Sequence, residues 1–204
     1  MFSQKGKDKE GIMADKQTIF NNCRGIYEDA YDLVKQMACA VGKTLEKEGK
    51  DFDPRITTGK FDIVLQYSLL QVAVSDFDLD VNEVIFIKDL TKQGDIVSYL
   101  NAIEKDAKYP SWDELYNSGA KNVRKWLRDI ESDMKQLSEE FVTVFALCDA
   151  ITEYDYLSDI LKQIAAIILG LAMMDGDPGS EDLKENILIL EALNEIAERK
   201  KNIK

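Results

Sequence analysis

The amino-acid sequence predicts an all-α protein, a helical bundle of about seven to eight helices. Apolar residues recur at steps of three and four through most of the chain, which is the period of an amphipathic helix. Only three prolines, at positions 54, 110 and 178, interrupt the 204 residues, so long helices can form between them. No segment has the alternating pattern of a strand, because branched runs such as residues 187–190 lie inside a helical period.

Turns divide this helical pattern into segments. Residues 1–14 are polar and are expected to form a mobile tail in front of one helical domain that covers residues 15–204. A loop at residues 51–54 and an acidic run at residues 76–80 interrupt the apolar pattern. The predicted helices cover, in chain order, residues 15–48, 58–75, 80–94, 95–105, 111–119, 122–152, 154–174 and 181–200.

Capping residues mark several of these helix ends. Gly49 is the expected C-cap of the first helix, because glycine readily takes the left-handed conformation found there. Asp80 is the expected N-cap of the third helix, with Glu83 in its first turn. Ser111 and Glu114 have the spacing of a capping box, which predicts the start of the fifth helix.

The composition excludes several classes of function. The net charge is −12, which disfavours nucleic acid as a partner because phosphate binding needs a basic surface. Histidine is absent, which excludes a Ser–His–Asp triad and a histidine-based metal site. The three cysteines, Cys23, Cys39 and Cys148, lie far apart and are interpreted as buried thiols in a reducing cytoplasm.

The expected location is cytoplasmic. The first residues lack the apolar core of a signal peptide. The longest apolar stretch, residues 164–174, is shorter than the ~20 residues that cross a membrane, and it is predicted to be a buried helix. The lysine-rich end at residues 199–204 leaves peripheral contact with acidic lipid open.

Two short acidic loops form the most informative pattern in the chain. When Asp175 is aligned with Asp76, carboxylates also coincide at the third and eighth positions of the two loops. An apolar helix precedes each loop, and another follows it. The pattern predicts an internal duplication with pseudo-symmetric halves at about 15–105 and 120–204. Separate origins remain the alternative, since aspartate favours turns and N-caps without any ligand.

Carboxylates this close together repel one another unless a helix N-terminus or a divalent cation neutralises them. Oxygen ligands favour Ca²⁺ or Mg²⁺ over zinc. An EF-hand needs glycine at the sixth loop position and glutamate at the twelfth. Val81 and Ile87 occupy these positions in the first loop, and Ser180 and Asn186 occupy them in the second, so neither loop is an EF-hand.

Both loops resemble the hallmark of the TerB-like family, which is named for a tellurite-resistance protein. In that family an apolar helix leads into Asp-Gly-acidic, a short spacer and an acidic pair that opens the next helix. Residues 172–183 (AMMDGDPGSEDL) are similar to this pattern, with Pro178 and Gly179 in the spacer. Residues 73–84 (AVSDFDLDVNEV) are also similar, with Phe77 in place of the glycine.

The resemblance implies two related helical halves whose acidic residues hold Ca²⁺ or Mg²⁺, with no organic cofactor. Asp80 is a further candidate ligand, additional to the family's pattern. Phe77 and Leu79 alternate with the aspartates and are expected to pin the first loop to the core, with its carboxylates outward. The candidate metal ligands that match the family's motif are Asp76, Asp78, Glu83, Asp175, Asp177, Glu181 and Asp182.

The function implied by the resemblance is that of a non-enzymatic module, which acts by protein interaction in stress response or resistance to toxic oxyanions such as tellurite. Two other functions remain open. One is a metal-dependent hydrolase of nucleotides or phosphate esters that uses the same carboxylates, for which they would have to converge in a cleft. The other is a helical scaffold that binds no ion, with the acidic residues serving as helix caps.

Overall fold

A computed structural model describes residues 5–92, 94–103, 111–152 and 155–174. These residues form eight α-helices and no strand, so the predicted all-α class is confirmed for the described part of the chain. The helices are α1 Lys5–Lys47, α2 Pro54–Ala73, α3 Val81–Leu90, α4 Ile96–Ile103, α5 Trp112–Ser118, α6 Ala120–Asp129, α7 Glu131–Thr152 and α8 Tyr156–Met174.

The core lies where α1, α2, α7 and α8 pack together. A column of aromatic rings joins three of these helices through the centre of the core. The Tyr27 ring of α1 stacks on Phe61 of α2 with 6.3 Å between centroids, and Phe61 stacks on Phe141 of α7 at 5.8 Å. Phe145 meets Phe141 edge to face at 4.6 Å. These large buried side chains fix the spacing of the helices around α2.

The first helix ends at the predicted position. Gly49 has φ +74, and its N–H donates to the carbonyl of Glu46 at 3.0 Å. The N–H of Lys50 donates to the carbonyl of Leu45 at 2.9 Å. These two bonds form a Schellman motif, which confirms Gly49 at the C-terminus of α1. At its other end α1 begins at Lys5, within the segment expected to be a tail, and the expected mobility of residues 1–14 stays a prediction.

The predicted start of the first helix at Asp15 is wrong, because α1 begins at Lys5, and two further predicted helix boundaries are wrong. The second helix begins at Pro54 rather than Thr58, because the Asp53 side chain caps it by accepting from Arg55 N–H at 2.9 Å. Proline is well suited to the first helical position, where its missing N–H is not needed. The third helix ends at Leu90 rather than Gly94, since side chains of α1 and α2, described below, form hydrogen bonds with the backbone that follows.

The single helix predicted over residues 122–152 is also wrong, because α6 and α7 are separate helices. The backbone leaves the helical conformation at Ile130, which has φ −96 and ψ 2. Ile130 is buried, so the bend turns an apolar side chain into the core. No glycine or proline stands at this position, and the local sequence therefore carries no signal of the break.

Helix α8 is long and apolar enough to cross a membrane, by length and composition alone. In the fold it lies against α1, α2, α3 and α7, with Ile160, Ile167, Ile168 and Leu171 buried. The interpretation of its C-terminal part as a buried helix is therefore confirmed. The predicted loop at 175–180 and helix at 181–200 lie outside the described residues, and the pseudo-symmetry of the two halves stays a prediction.

Candidate functional site

The first acidic loop forms the turn between α2 and α3, and two of its carboxylates cap α3. The Asp80 side chain accepts from Asn82 N–H at 2.6 Å, and the Glu83 carboxylate accepts from Asp80 N–H at 2.9 Å. The two residues complete a capping box, which satisfies backbone donors that the helix itself cannot pair. The predicted N-cap at Asp80 is therefore confirmed.

The other two carboxylates face solvent. Asp76 accepts from Asp78 N–H through Oδ1 at 2.8 Å, and Asp78 accepts from Leu79 N–H through Oδ1 at 2.8 Å. Both residues are exposed, as expected. Neither hydrogen bond uses the second carboxylate oxygen, so the turn presents two outward carboxylates beside the N-terminus of α3.

Phe77 lies between these aspartates in an unusual backbone conformation. Its φ of +71 falls in the left-handed region that strongly favours glycine. Its side chain is 73% exposed, whereas Leu79 is buried. The expectation that both residues pin the turn to the core is correct for Leu79 and wrong for Phe77, because the left-handed backbone turns the Phe77 ring outward.

The Phe77 ring does have one charged neighbour, the guanidinium group of Arg124 on α6. The central carbon of that group lies 3.9 Å from the ring centroid, which is the geometry of a cation–π interaction. The turn therefore combines two outward carboxylates, an exposed aromatic ring and an arginine contributed by a helix distant in sequence.

The structure describes the candidate metal ligands of the first acidic loop but not those of the second. In the part of the chain that the structure describes, no three acidic or thiol side chains lie close enough to share an ion. In the first loop, Asp80 and Glu83 are engaged by backbone N–H groups, and Asp76 and Asp78 point outward. The candidate ligands of the second loop, Asp175, Asp177, Glu181 and Asp182, lie outside the described residues. Metal binding by either loop stays a prediction.

A buried polar network, which the sequence analysis did not anticipate, joins α1 and α2 to the segment before α4. Asp62 is fully buried and accepts from Tyr27 Oη–H at 2.8 Å and from Gly94 N–H at 2.9 Å. The Tyr27 oxygen in turn accepts from Lys92 N–H at 2.9 Å. Burial, together with the neighbouring Asp62 carboxylate, raises the pKa of Tyr27 far above its usual range. The phenol therefore stays protonated and donates to Asp62.

Gln66 extends the network one helical turn further along α2. Its side-chain oxygen accepts from Ile96 N–H at 2.8 Å, and its nitrogen donates to Thr91 Oγ1 and to the Gly94 carbonyl. The segment between α3 and α4 is thus held by α2 side chains. The available sequence signal is Asp62 and Gln66, two polar residues four apart that lie beside Phe61 and Leu65 in the apolar pattern of α2.

Gly94 fits into this network because it has no side chain. A Cβ atom at this position would lie 2.5 Å from the Gly59 carbonyl oxygen and 2.6 Å from Asp62 Cβ. The close approach brings Gly94 N–H within hydrogen-bonding distance of the buried carboxylate. The network is structural in character, since buried hydrogen bonds to a charged group strongly favour one arrangement of the chain.

The cysteines are free thiols. Cys23 and Cys148 are buried, as predicted, and Cys39 is partly buried. Burial raises the pKa of Cys23 to about 11. A protonated thiol is a poor nucleophile and a poor metal ligand, so Cys23 acts as a packing residue.

The resemblance to the TerB-like family rests on the two motifs and stays a prediction. Comparison of the chain with protein-family models, with curated proteins and with solved structures finds no match.

Proposed function

We propose that this chain is a non-enzymatic, TerB-like helical module that binds a partner protein in stress response or resistance to toxic oxyanions. The proposed contact surface is the turn before α3, which consists of Asp76, Phe77 and Asp78 together with Arg124. We further propose that the chain arose by duplication, so that the second acidic loop provides a related surface.

The observation that carries this proposal is the backbone and exposure of Phe77. A left-handed conformation costs a residue with a side chain about 1–2 kcal/mol relative to the right-handed one. Phe77 has φ +71, yet its ring is 73% exposed and so recovers little of that energy by burial. Strain of this kind is typical of functional positions. Aromatic residues and arginine are also enriched where proteins bind one another.

The two outward carboxylates place negative charge on the proposed contact surface. Asp76 and Asp78 flank the ring, so a partner with an apolar pocket and a basic rim matches the turn. The same two carboxylates support uptake of a divalent cation, because each retains an oxygen that the turn's own hydrogen bonds do not use. Ca²⁺ or Mg²⁺ fits this oxygen chemistry.

Photo-crosslinking tests the contact surface. A benzoylphenylalanine at position 77 is expected to form a covalent adduct with one protein in the source cells. The same group at Ile56 is the control, because Ile56 is 57% exposed but lies at the start of α2. The protein captured should then bind purified wild-type chain at least about tenfold more tightly than Phe77→Ala. Equal adducts at both positions, or equal affinities, contradict the proposal.

Thermal melts and calorimetric titration with Ca²⁺ and Mg²⁺ test the cation separately. A cation whose free concentration is 100 times its Kd stabilises the folded chain by about 2.7 kcal/mol. That gain should decrease in Asp76→Asn/Asp78→Asn or in Asp175→Asn/Asp177→Asn. It should persist in Asp129→Asn/Asp133→Asn, which removes an equal charge from exposed positions at the α6–α7 junction. Identical melts with and without cation in wild type contradict cation binding and leave the protein-interaction proposal standing.

A metal-free scaffold is the second candidate, and the capping box of α3 favours it. Asp80 and Glu83 already have backbone partners, which gives them a structural role without any ion. On this account Asp80→Ala lowers the free energy of unfolding by about 1 kcal/mol, equally in EDTA and in Ca²⁺. A loss of stability found only in the presence of Ca²⁺ excludes this candidate.

A further inference from the structure

A small surface pocket lies between α2 and α6. It has a volume of about 210 Å³, below the range of about 300–1,000 Å³ that is usual for drug-sized ligands. A carboxylate or phosphate group with a few attached carbon atoms suits this size. The lining includes Tyr67, Gln71 and Val74 from α2 and its C-cap, and Arg124, Leu127 and Arg128 from α6.

Two arginines give the pocket positive charge. Arg124 and Arg128 lie four residues apart on α6, so they share one face of that helix. Within the described ranges of the chain, neither guanidinium group forms an ion pair with a carboxylate. This is informative in a chain with 38 acidic and 26 basic residues, where carboxylates are the more abundant charged group. Two unpaired arginines in one pocket indicate a binding site for an anion.

The guanidinium group of Arg124 lacks an oxygen acceptor. Its Nη1 atom is buried and has no hydrogen-bond partner among the residues that the structure describes. The Phe77 ring, 3.9 Å from the central carbon, contacts the group through its face and offers no oxygen. A buried donor without a partner destabilises a fold, so an anion that supplies an acceptor to this group binds favourably.

The other polar groups determine the charge that the pocket accepts. Tyr67 Oη–H donates to the Leu127 carbonyl at 3.4 Å, a long bond that a closer acceptor can replace, and the Gln71 amide is a further donor. Burial, followed by the charge of Glu131, raises the pKa of Tyr67, so the phenol stays protonated at neutral pH. Glu131 of α7 also lines the pocket and offsets one of the two arginines. A singly charged anion therefore balances the lining.

The remaining lining is apolar. Val74 and Leu127 are buried and present hydrocarbon to the pocket beside the guanidinium groups. Hydrocarbon walls favour an anion with an organic part over an inorganic ion. We infer that this pocket binds a small organic carboxylate, whose oxygens accept from Arg124 and Arg128 and whose short carbon chain lies against Val74 and Leu127. This inference does not rest on the proposed partner contact or on metal binding, although Arg124 belongs to both surfaces.

Nuclear magnetic resonance titration of the ¹⁵N-labelled full-length chain with butyrate tests the pocket. The Arg124 Nε–H signal and the amides around the pocket on α2 and α6 should shift saturably, with a Kd in the millimolar range. Butyramide is the matched control ligand, because it has the same shape without the charge, and it should bind at least about tenfold more weakly. Inorganic phosphate tests for a site that accepts any anion. Three results overturn the inference: no saturable shift with butyrate, equal binding of butyramide, or phosphate binding at least as tight as that of butyrate.

Substitutions of opposite charge locate the site. Arg124→Gln should weaken butyrate binding at least about tenfold, the loss expected for a hydrogen bond to a charged group. Glu131→Gln should strengthen binding about two- to fivefold, because it removes a like charge from the lining. Lys125→Gln and Asp129→Asn are the matched controls, since both residues are exposed on α6 and neither lines the pocket. Equal effects of Arg124→Gln and Lys125→Gln, or of Glu131→Gln and Asp129→Asn, contradict the site.

Discussion

Gly170 of α8 lies so close to Cys23 of α1 that a Cβ atom on Gly170 would be 2.1 Å from the Cys23 sulfur. Once that sulfur is set aside, the nearest atoms are Ile19 Cγ2 at 3.7 Å and Cys23 Cβ at 3.8 Å, which are ordinary contacts. The thiol therefore fills the space that a side chain at position 170 would need. This pair sets how closely α1 and α8 approach.

The close contact predicts that the effect of Gly170→Ala on stability depends on whether residue 23 carries a thiol. In wild type the substitution should lower the free energy of unfolding by about 1–3 kcal/mol, because the methyl group overlaps a buried sulfur. In Cys23→Ala it should be neutral or stabilising by up to about 1 kcal/mol, since alanine is the better helix former. Urea denaturation of the four proteins in this double-mutant cycle measures the coupling.

Gly25 provides the control for that cycle. It lies within α1, and a Cβ atom there would meet no other atom within 4 Å. Gly25→Ala should therefore stabilise the protein by about 0.5–1 kcal/mol in either background. Equal effects of Gly170→Ala with and without the Cys23 thiol would show that the thiol does not restrict α8.

The left-handed backbone at Phe77 predicts that the glycine variant is more stable than the alanine variant at this position, which is the reverse of their order inside a helix. Phe77→Gly and Phe77→Ala both remove the ring and its contact with Arg124, so their difference reports the backbone alone. Phe77→Gly should be the more stable by about 1 kcal/mol, because φ is +71 at this position. At Ile85, inside α3, the alanine variant should instead be more stable than the glycine variant by about the same amount. Thermal melts of the four variants decide the order, and a more stable Phe77→Ala contradicts the assigned conformation.

The buried network predicts a large effect of removing one hydroxyl group. Tyr27→Phe removes the hydroxyl donor to the buried Asp62, which still accepts from Gly94 N–H, and it removes the acceptor of Lys92 N–H. The loss should be about 2–3 kcal/mol, the range for buried hydrogen bonds to charged groups. Tyr67→Phe is the matched control, since Tyr67 Oη–H reaches the Leu127 carbonyl only at 3.4 Å. Similar losses in the two variants would show that the Asp62 network contributes little.

The Cys23 thiol predicts loss of stability at alkaline pH. Burial raises its pKa from 9.0 to about 11, so between these values the thiol ionises in the unfolded chain before it does so in the folded one. The unfolded state then binds fewer protons, and stability falls as pH rises, by up to ~1.4 kcal/mol per pH unit for this group. Unfolding free energies at pH 8, 9 and 10 should decline less steeply in Cys23→Ala than in wild type. Parallel declines would assign the pH dependence to other groups.

Features set by neighbours in sequence were predictable. Gly49 ends α1, Asp80 and Glu83 open α3, and Ser111 and Glu114 cap α5, as expected. Each of these features depends on hydrogen bonds between residues within a few positions of one another, and the residue types show which bonds are available. The all-α class follows in the same way, because helical periodicity is a local property of the chain.

Features that depend on distant neighbours were not predictable. The break at Ile130 carries no glycine or proline; on one side of it α6 packs mainly on α5, and on the other side α7 packs mainly on α1 and α2. The contact of the Phe77 ring with Arg124 of α6 joins residues far apart in sequence, and the fixed position of Gly94 depends on Asp62 of α2. The sequence by itself determined the all-α class and the caps of α1, α3 and α5, through contacts within a turn. Only the tertiary structure decided which side chains are buried, strained or brought together, because packing couples residues that the local pattern leaves independent.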